Sequence, residues 1–116
     1  MNLHVIGFIP PIVGVDNEFN TFRLGGFCQK RLSIGSQVYL LNEKEKMIFG
    51  RAQVENIDVG SLGEMLLIHA HKNHTELGND PNTAPERLNE TIRRIYGPHI
   101  ATLTKKTTVL YMKRLE

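Results

Sequence analysis

The sequence is poor in the residues that hold small secreted proteins together and in those that span membranes. Cys28 is its one cysteine, so an internal disulfide is impossible and a secreted disulfide scaffold is excluded. No apolar run approaches the roughly 20 residues that a membrane span requires. Met1–Val15 is apolar, but it lacks the basic start and the small-residue cleavage site of a signal peptide. We therefore expect a cytoplasmic protein with no membrane partner.

Charge of one sign is also scarce, because 14 Lys and Arg stand against 12 Asp and Glu, for a net charge of +2. This balance alone does not indicate a nucleic-acid-binding protein. The hydrophobic fraction of 41% is that of a globular protein and excludes a disordered one. A length of 116 residues predicts a single domain over positions 1–116.

The first quarter of the chain predicts one strand and one long loop. Asn2–Ile9 has the pattern of a strand, which Pro10-Pro11 ends because proline lacks the donor that a sheet requires. Val13–Phe27 has three glycines and little periodicity, so it is predicted as an ordered loop with a short extended piece at Asn20–Arg23. Loops of this length in small domains are often functional.

A hairpin is predicted from two β-rich segments, Gln37–Leu41 and Met47–Val59, joined by a polar link. The apolar residues of the second segment change phase halfway along it. A regular pleat cannot place both sets on one face, so we expect a bulge near Glu55-Asn56.

Two helices follow, each introduced by a predicted capping box. Ser61–His71 begins with a serine whose partner is Glu64. Thr83 and Glu86 are the second pair, and Gly97 ends that helix.

The final segment, Lys106–Leu115, is β-branched and aromatic at its centre and is predicted as a strand. The element order shows no alternation of strand and helix. We therefore predict an α+β fold in which a small mixed or antiparallel β-barrel is flanked by two main helices.

Metal and nucleophile chemistry are poorly supported by the spacing of the candidate residues. His69 and His71 point about 200° apart on one helix, so they cannot share an ion, and His69 is expected to be half-buried while His71 and His74 are solvated. Cys28 beside an aromatic residue is typical of a small core side chain. Gly25-Gly26 lacks the spacing of a nucleotide-binding fingerprint. We expect no metal and no cofactor.

Basic and aromatic residues are the more informative set. Positive charge beside an aromatic platform is what holds a nucleobase and its phosphate. The alternative is that the basic residues are solvated and the phenylalanines form the core. The basic residues are Arg23, Lys30, Arg31, Arg51, Lys105 and Lys106, and the aromatic ones are Phe19, Phe22, Phe27, Tyr39, Tyr96 and Tyr111.

Four segments resemble those of a known family. Asn20–Arg23 followed by Lys30–Leu40 is similar to the Thr-x-Arg segment and the "basic, apolar, x, x, Gly-Asp-x-Val" run that open an ASCH domain, a branch of the PUA-like superfamily. Phe49–Val54 resembles the next strand of that family, and Val109–Tyr111 resembles its closing strand. Small stand-alone relatives of this type are familiar from bacteria and phages.

The resemblance implies a β-barrel flanked by helices, with a cleft between them that binds RNA, nucleotides or modified bases. One bacterial branch hydrolyses the acyl-amide of N-acetylcytidine. That branch uses a threonine, a lysine three residues before it and a glutamate just after the first helix.

Only part of that catalytic set is matched in this sequence. Thr21 and Arg23 match the Thr-x-Arg segment, but Glu18 stands at the lysine position, and His71–Asn73 contains no acid where the glutamate falls. A threonine nucleophile needs a base, so if the chain is an enzyme Thr21 and Glu18 are the candidates. The missing residues favour a binding module over an enzyme.

The leading hypothesis is therefore an RNA- or nucleotide-binding module. Its alternatives are a hydrolase acting on a modified nucleoside or on RNA, and a barrel that binds no ligand and serves protein interaction. Arg23 would pair with phosphate or a base edge, Thr21 would form a hydrogen bond, and a glycine pair would let the backbone approach the ligand. The predicted ligand-binding residues are Thr21, Arg23, Gly25, Gly26, Arg51 and Tyr111.

Overall fold

The computed structural model describes residues 4–116, apart from the side chain of Phe27. The predictions made for positions 2 and 3 and for the aromatic ring of Phe27 lie outside the described residues. Five strands form one sheet in the order β1-β3-β4-β5-β2. The strands are β1 (Val5–Phe8), β2 (Glu18–Leu24), β3 (Gln37–Asn42), β4 (Met47–Ser61) and β5 (Lys106–Arg114).

Strand β4 is the centre of the sheet, because its 15 residues pair with β3 at one end and with β5 along the rest. Its register against β5 shifts between Val54 and Asn56, which confirms the predicted bulge. A bulge bends a strand and increases its twist. The sheet therefore curls into a half-barrel, and β1 closes one edge by pairing in parallel with β3.

The prediction of a loop over Val13–Phe27 was wrong in part, because the extended piece expected at Asn20–Arg23 belongs to a longer strand. Glu18–Leu24 is a full strand that pairs antiparallel with β5 over its whole length. Phe19 to Phe22 are all buried, because the half-barrel covers one face of β2 and the helices cover the other. A strand buried on both faces has no alternating pattern to recognise. A short helix that was not predicted, α1 (Phe27–Arg31), follows this strand.

The first main helix, α2 (Leu62–His69), begins as predicted. The hydroxyl of Ser61 accepts from the backbone N–H of Glu64 at 3.2 Å, and the Glu64 carboxylate accepts from the backbone N–H of Ser61. The helix ends at His69 and continues as a single tight turn, Ala70–Lys72.

The second main helix, α3 (Ala84–Tyr96), ends at Gly97 as predicted, but its predicted capping box was wrong. The Thr83 hydroxyl does not cap the helix and instead accepts from the guanidinium of Arg87. Arg87 also donates to the buried carboxylate of Glu76 at 2.8 Å. This contact ties α3 to the segment that follows α2.

Two apolar clusters form on the two faces of the sheet. The half-barrel encloses one that includes Phe8, Phe19 and Leu40, and the helices cover another that includes Phe22 and Leu88. Successive residues of β2 point alternately into the two clusters. Near the end of β2, beyond the two apolar clusters, its side chains reach a space that neither cluster fills.

Candidate functional site

A cleft of about 600 Å³ opens between the mouth of the half-barrel and helix α3. One wall comes from the end of β1 and the prolines after it, and the opposite wall comes from apolar residues of α3, Ile92 and Ile95. Its size is that of a pocket for a small molecule. The polar residues that line it are Thr21, Arg23, Glu43, Asn73, His74, Thr75, Thr91, Arg94 and Tyr96.

Strand β2 brings two predicted ligand-binding residues into this cleft. Thr21 and Arg23 lie on the same face of the strand as Phe19, since side chains two residues apart share a face. Phe19 enters the core, Thr21 is 3% exposed, and Arg23 reaches the opening. The Thr-x-Arg spacing therefore places a hydroxyl and a guanidinium side by side at the mouth of the half-barrel.

Arg23 is a half-buried cation that forms no ion pair with a carboxylate among residues 4–116. Its guanidinium carbon lies 5.0 Å from the centre of the Phe8 ring, which is the geometry of a cation–π contact. Its Nε is buried and has no hydrogen-bond partner. None of the ion pairs in the described part of the chain includes Arg23. Burial lowers the pKa of Arg23 because the charged form loses hydration.

Glu43 is a functional candidate that the sequence reasoning missed. It lies in the turn between β3 and β4, where its backbone N–H donates to the carbonyl of Phe8 at 3.0 Å. Its carboxyl group rests on Gly7, where a Cβ would come within 2.5 Å of Oε1. The carboxylate attracts Arg23 and raises the pKa of that guanidinium, although burial outweighs it. In the sequence, Glu43 is one charge among several in a polar turn.

His74 lines the cleft as well, so the prediction that it is solvated was wrong. Its Nδ1 lies 3.0 Å from the carbonyl oxygen of Val13. Since a carbonyl can only accept, Nδ1 carries the proton, and Nε2 is left as an acceptor. The ring packs edge-on against Phe8 and Phe19. Burial lowers the pKa of His74 to about 4, so the ring is neutral at pH 7.

Buried asparagines explain how His74 reaches this position. The side-chain amide of Asn20 donates to the carbonyl of His69 at 2.9 Å, and the amide of Asn73 donates to the carbonyl of Asn20 at 3.3 Å. The backbone N–H of His74 donates to that same carbonyl at 3.1 Å. Together these bonds attach the segment after α2 to strand β2, which sets His74 beside the barrel mouth.

The predicted glycine pair lies outside the cleft. Gly25 has a φ of +92°, a conformation that side chains disfavour, and its N–H donates to the carbonyl of Lys106 at 2.6 Å. Its own carbonyl accepts from the hydroxyl of Thr108 at 2.9 Å. Gly26 directly precedes α1. The two glycines turn the chain out of β2 and do not line the cleft.

Arg51 is on β4 and does not join Thr21 and Arg23. Its Nε donates to the carboxylate of Glu116 at 2.7 Å, and another of its nitrogens donates to Gln37 at 3.2 Å. The hydrogen bond that Arg51 donates to Glu116 raises the pKa of Arg51. The structure therefore separates two arginines that the sequence reasoning placed together.

Tyr111 lines a second, smaller hollow of about 340 Å³, together with Glu18, Glu55 and His69. Its hydroxyl lies 2.6 Å from Nδ1 of His69, and Nε2 of His69 lies 2.6 Å from a carboxylate oxygen of Asp58. Glu18, the residue at the family's lysine position, thus lies in a different hollow from Thr21. His69 is more deeply buried than predicted, at 9% exposure.

The remaining candidates contribute no chemistry to the cleft. Cys28 packs against the half-barrel cluster, and burial raises the pKa of its thiol. His71 is exposed, as predicted. Within residues 4–116, no group of three or more His, Cys, Asp or Glu side chains is placed to hold a metal ion. In the same range, no helix has the length and apolar character needed to cross a membrane.

The comparisons with known proteins show a likeness in structure and none in sequence. No family model and no curated protein matches the chain. The hypothetical protein PH0355 superposes with a TM-score of 0.66 at 14% identity, over 98% of this chain and 100% of that one.

Two further solved structures have the same arrangement. Protein EF3133 from Enterococcus faecalis V583, of the DUF984 family, gives a TM-score of 0.58 at 6% identity over 90% of this chain. An ASCH domain from Lactobacillus crispatus JV V101 gives a TM-score of 0.54 at 10% identity over 87% of this chain. The chain spans 64% and 65% of these two structures, respectively.

These findings define the class of the fold. The molecule is an α+β half-barrel with two main helices, as the sequence predicted. This fold is of the same type as that of the ASCH domain and the DUF984 protein.

Proposed function

We propose that the chain is a binding module that holds a nucleotide, free or within RNA, in the cleft between the half-barrel and α3. The observation that supports this most directly is the buried Nε of Arg23, which has no hydrogen-bond partner among residues 4–116. A buried donor without a partner is costly, and a bound ligand can supply the missing acceptor. An arginine is suited to phosphate and to base edges because its donors form a planar fork.

The walls of the cleft suit a flat aromatic ligand. Phe8 and Tyr96 border it, and Ile92 and Ile95 of α3 supply apolar surface opposite. A nucleobase satisfies such a site because it has two apolar faces and a polar edge. The Thr21 hydroxyl and the neutral ring of His74 provide further hydrogen-bonding groups at the inner end.

The resemblance in the Thr-x-Arg segment also supports a nucleotide-binding module, since its two matched residues, Thr21 and Arg23, both line the cleft. The cleft is also open, not filled by the chain's own side chains, which does not favour a barrel that has lost its ligand.

The test is a titration of nucleoside monophosphates and short single-stranded RNAs against wild type, Arg23→Ala and Arg51→Ala. Arg51 is the matched control because it lies on β4 away from the cleft and is paired to Glu116. We expect Arg23→Ala to weaken binding roughly 10- to 100-fold, the usual value of hydrogen bonds to a charged group. Arg51→Ala should change affinity less than about twofold. Equal affinities for all three proteins would contradict the proposal.

A second candidate function is hydrolysis of a modified nucleoside, and one observation favours it. His74, in the same cleft as Thr21, is neutral with Nε2 unprotonated, so a potential base stands where the family's glutamate is absent. Glu18 lines the other hollow and is not placed for this role. Turnover of acylated nucleosides that is lost in both Thr21→Ala and His74→Gln would establish it. Turnover that survives Thr21→Ala would exclude it.

A further inference from the structure

Besides Arg94, the cleft is lined by two residues of opposite charge, Arg23 and Glu43, that do not pair with each other within residues 4–116. Arg23 enters from the end of β2 and Glu43 from the turn after β3. Glu43 attracts Arg23 electrostatically, yet within residues 4–116 the ion pairs include no contact between them. The two residues therefore line one cleft without forming an ion pair.

Both groups are held in position by the backbone around them. Glu43 is attached to the end of β1 through its N–H bond to Phe8, and its carboxyl group lies on Gly7. Arg23 is held by the ring of that same Phe8. An arginine and a carboxylate that line one cleft without pairing suit a ligand that can bond to both.

The chemistry of the two groups defines the edge of that ligand. A guanidinium only donates hydrogen bonds and a carboxylate only accepts them. The ligand must therefore present an acceptor to Arg23 and N–H donors to Glu43. Since a carboxylate has two oxygens, it is best matched by two adjacent N–H groups.

Guanine is the common base whose edge fits this arrangement. Its N1–H and its N2 amino group are adjacent donors, and its O6 beside N1–H is an acceptor that arginine commonly binds. Adenine and cytosine present a single amino group beside a ring acceptor. Uracil presents a single N–H between two carbonyls.

We propose that Glu43 makes the cleft selective for guanine, with its carboxylate accepting from N1–H and N2–H while Arg23 donates to O6. This inference rests on the proposed nucleotide-binding function and names the base that the cleft takes. The base lies against the Phe8 side of the cleft, between the two charged groups.

The experiment measures the dissociation constants of the monophosphates of guanosine, inosine, adenosine, cytidine and uridine for the whole chain. We expect the guanosine compound to bind at least tenfold more tightly than the adenosine, cytidine and uridine compounds, as a good bidentate contact provides. The inosine compound lacks the N2 amino group and should fall between them.

Two variants test Glu43 itself. Glu43→Gln replaces an acceptor with a group that both donates and accepts, so the preference for guanosine monophosphate should fall by about tenfold. Gly7→Ala leaves Glu43 in the sequence but places a methyl group where its carboxyl group lies, so the preference should fall there too. Glu45→Gln, an exposed position in the same turn, is the matched control and should retain the preference. Thermal unfolding of each variant checks that the fold is intact.

The outcomes separate this inference from the function it rests on. Binding of all five nucleotides with equal affinity, lost in Arg23→Ala, would keep the proposed function and overturn guanine selectivity. A guanosine preference that survives both Glu43→Gln and Gly7→Ala would overturn the role of Glu43. Absence of binding by every nucleotide and by RNA would overturn both proposals.

Discussion

The two hollows of this molecule contain similar residues but differ in how completely those residues are bonded. Tyr111 and His69 line the smaller hollow, and both ring nitrogens of His69 have partners, the Tyr111 hydroxyl and the carboxylate of Asp58. In the larger cleft, Arg23 and Glu43 are close enough to attract each other but do not pair. Buried polar groups that satisfy one another stabilise the native state, whereas those left unpaired favour a ligand. The comparison therefore separates a structural cluster from a binding cleft.

The largest effect on stability is expected from removing His69, which bonds to both Tyr111 and Asp58. His69→Ala leaves Asp58 and the Tyr111 hydroxyl without their shared partner and removes a buried ring. We expect the free energy of unfolding to fall by about 3 kcal/mol, measured by urea denaturation. Nucleotide affinity in the other cleft should stay within about twofold in this variant at a temperature where it is folded. His71→Ala, an exposed histidine in the turn that follows, is the control and should change stability by less than about 0.5 kcal/mol.

In the larger cleft, His74 is expected to give the free energy of unfolding a pH dependence of similar size. The pKa of His74 is about 4 in the folded chain and about 6.5 when unfolded, so above pH 6.5 both states are neutral and the full stability is present. As the pH falls below 6.5, the unfolded chain takes up the proton first, and stability is lost until about pH 4. The shift corresponds to about 3 kcal/mol.

Urea denaturation of wild type and His74→Gln at pH 7 and at pH 4 measures this effect. Other groups titrate in both proteins, so the difference between the two pH slopes isolates His74. Parallel slopes would show that the histidine titrates alike in the folded and unfolded chains and would contradict its burial.

Replacing Arg23 tests the comparison of the two hollows at the larger cleft. Arg23→Met keeps a long apolar stem beside Phe8 but removes the charge that lacks a partner. We expect stability to rise by about 1 kcal/mol, since replacing a buried charge with an apolar side chain is often stabilising. The same variant should lose nucleotide binding in the titration described above. A loss of stability above about 2 kcal/mol would show that Arg23 is a structural residue.

The smallest effect on stability is expected from removing the Tyr111 hydroxyl, which is one partner of His69. Tyr111→Phe removes only a hydroxyl, and the ring remains in the hollow. The cost should be about 1 kcal/mol in the free energy of unfolding, the usual value of a hydrogen bond. If nucleotide affinity fell as well, the second hollow would belong to the binding site and the separation of the two regions would fail.

Local patterns predicted most of the elements correctly. The phase change along β4 predicted its bulge, the Ser61 and Glu64 pair predicted the start of α2, and Gly97 predicted the end of α3. Each depends on residues within a few positions of one another. The same kind of local pattern gave a wrong prediction at Thr83, because its hydroxyl accepts from Arg87 and does not cap the helix N-terminus.

The candidate site was only half visible in the sequence. Thr21 and Arg23 were identified through the resemblance of their segment, and their alternate spacing on a strand places both in the cleft. Glu43 and His74 were missed because they lie far from β2 in the chain and no short-range pattern marks them. Their roles depend on backbone contacts with Phe8 and Val13.

By itself, the amino-acid sequence determined the α+β class, the bent central strand and the main helix boundaries, because these follow from periodicity, caps and neighbouring residues. The hydroxyl–guanidinium pair was identified through the resemblance of its segment to a known family. Tertiary structure alone decided that β2 is a strand buried on both faces and that Arg51 is distant from Arg23. It also decided that a carboxylate and a neutral histidine share the cleft with that arginine. Burial and partner choice depend on contacts between segments distant in the chain, and those contacts arise only when the sheet curls and the helices pack against it.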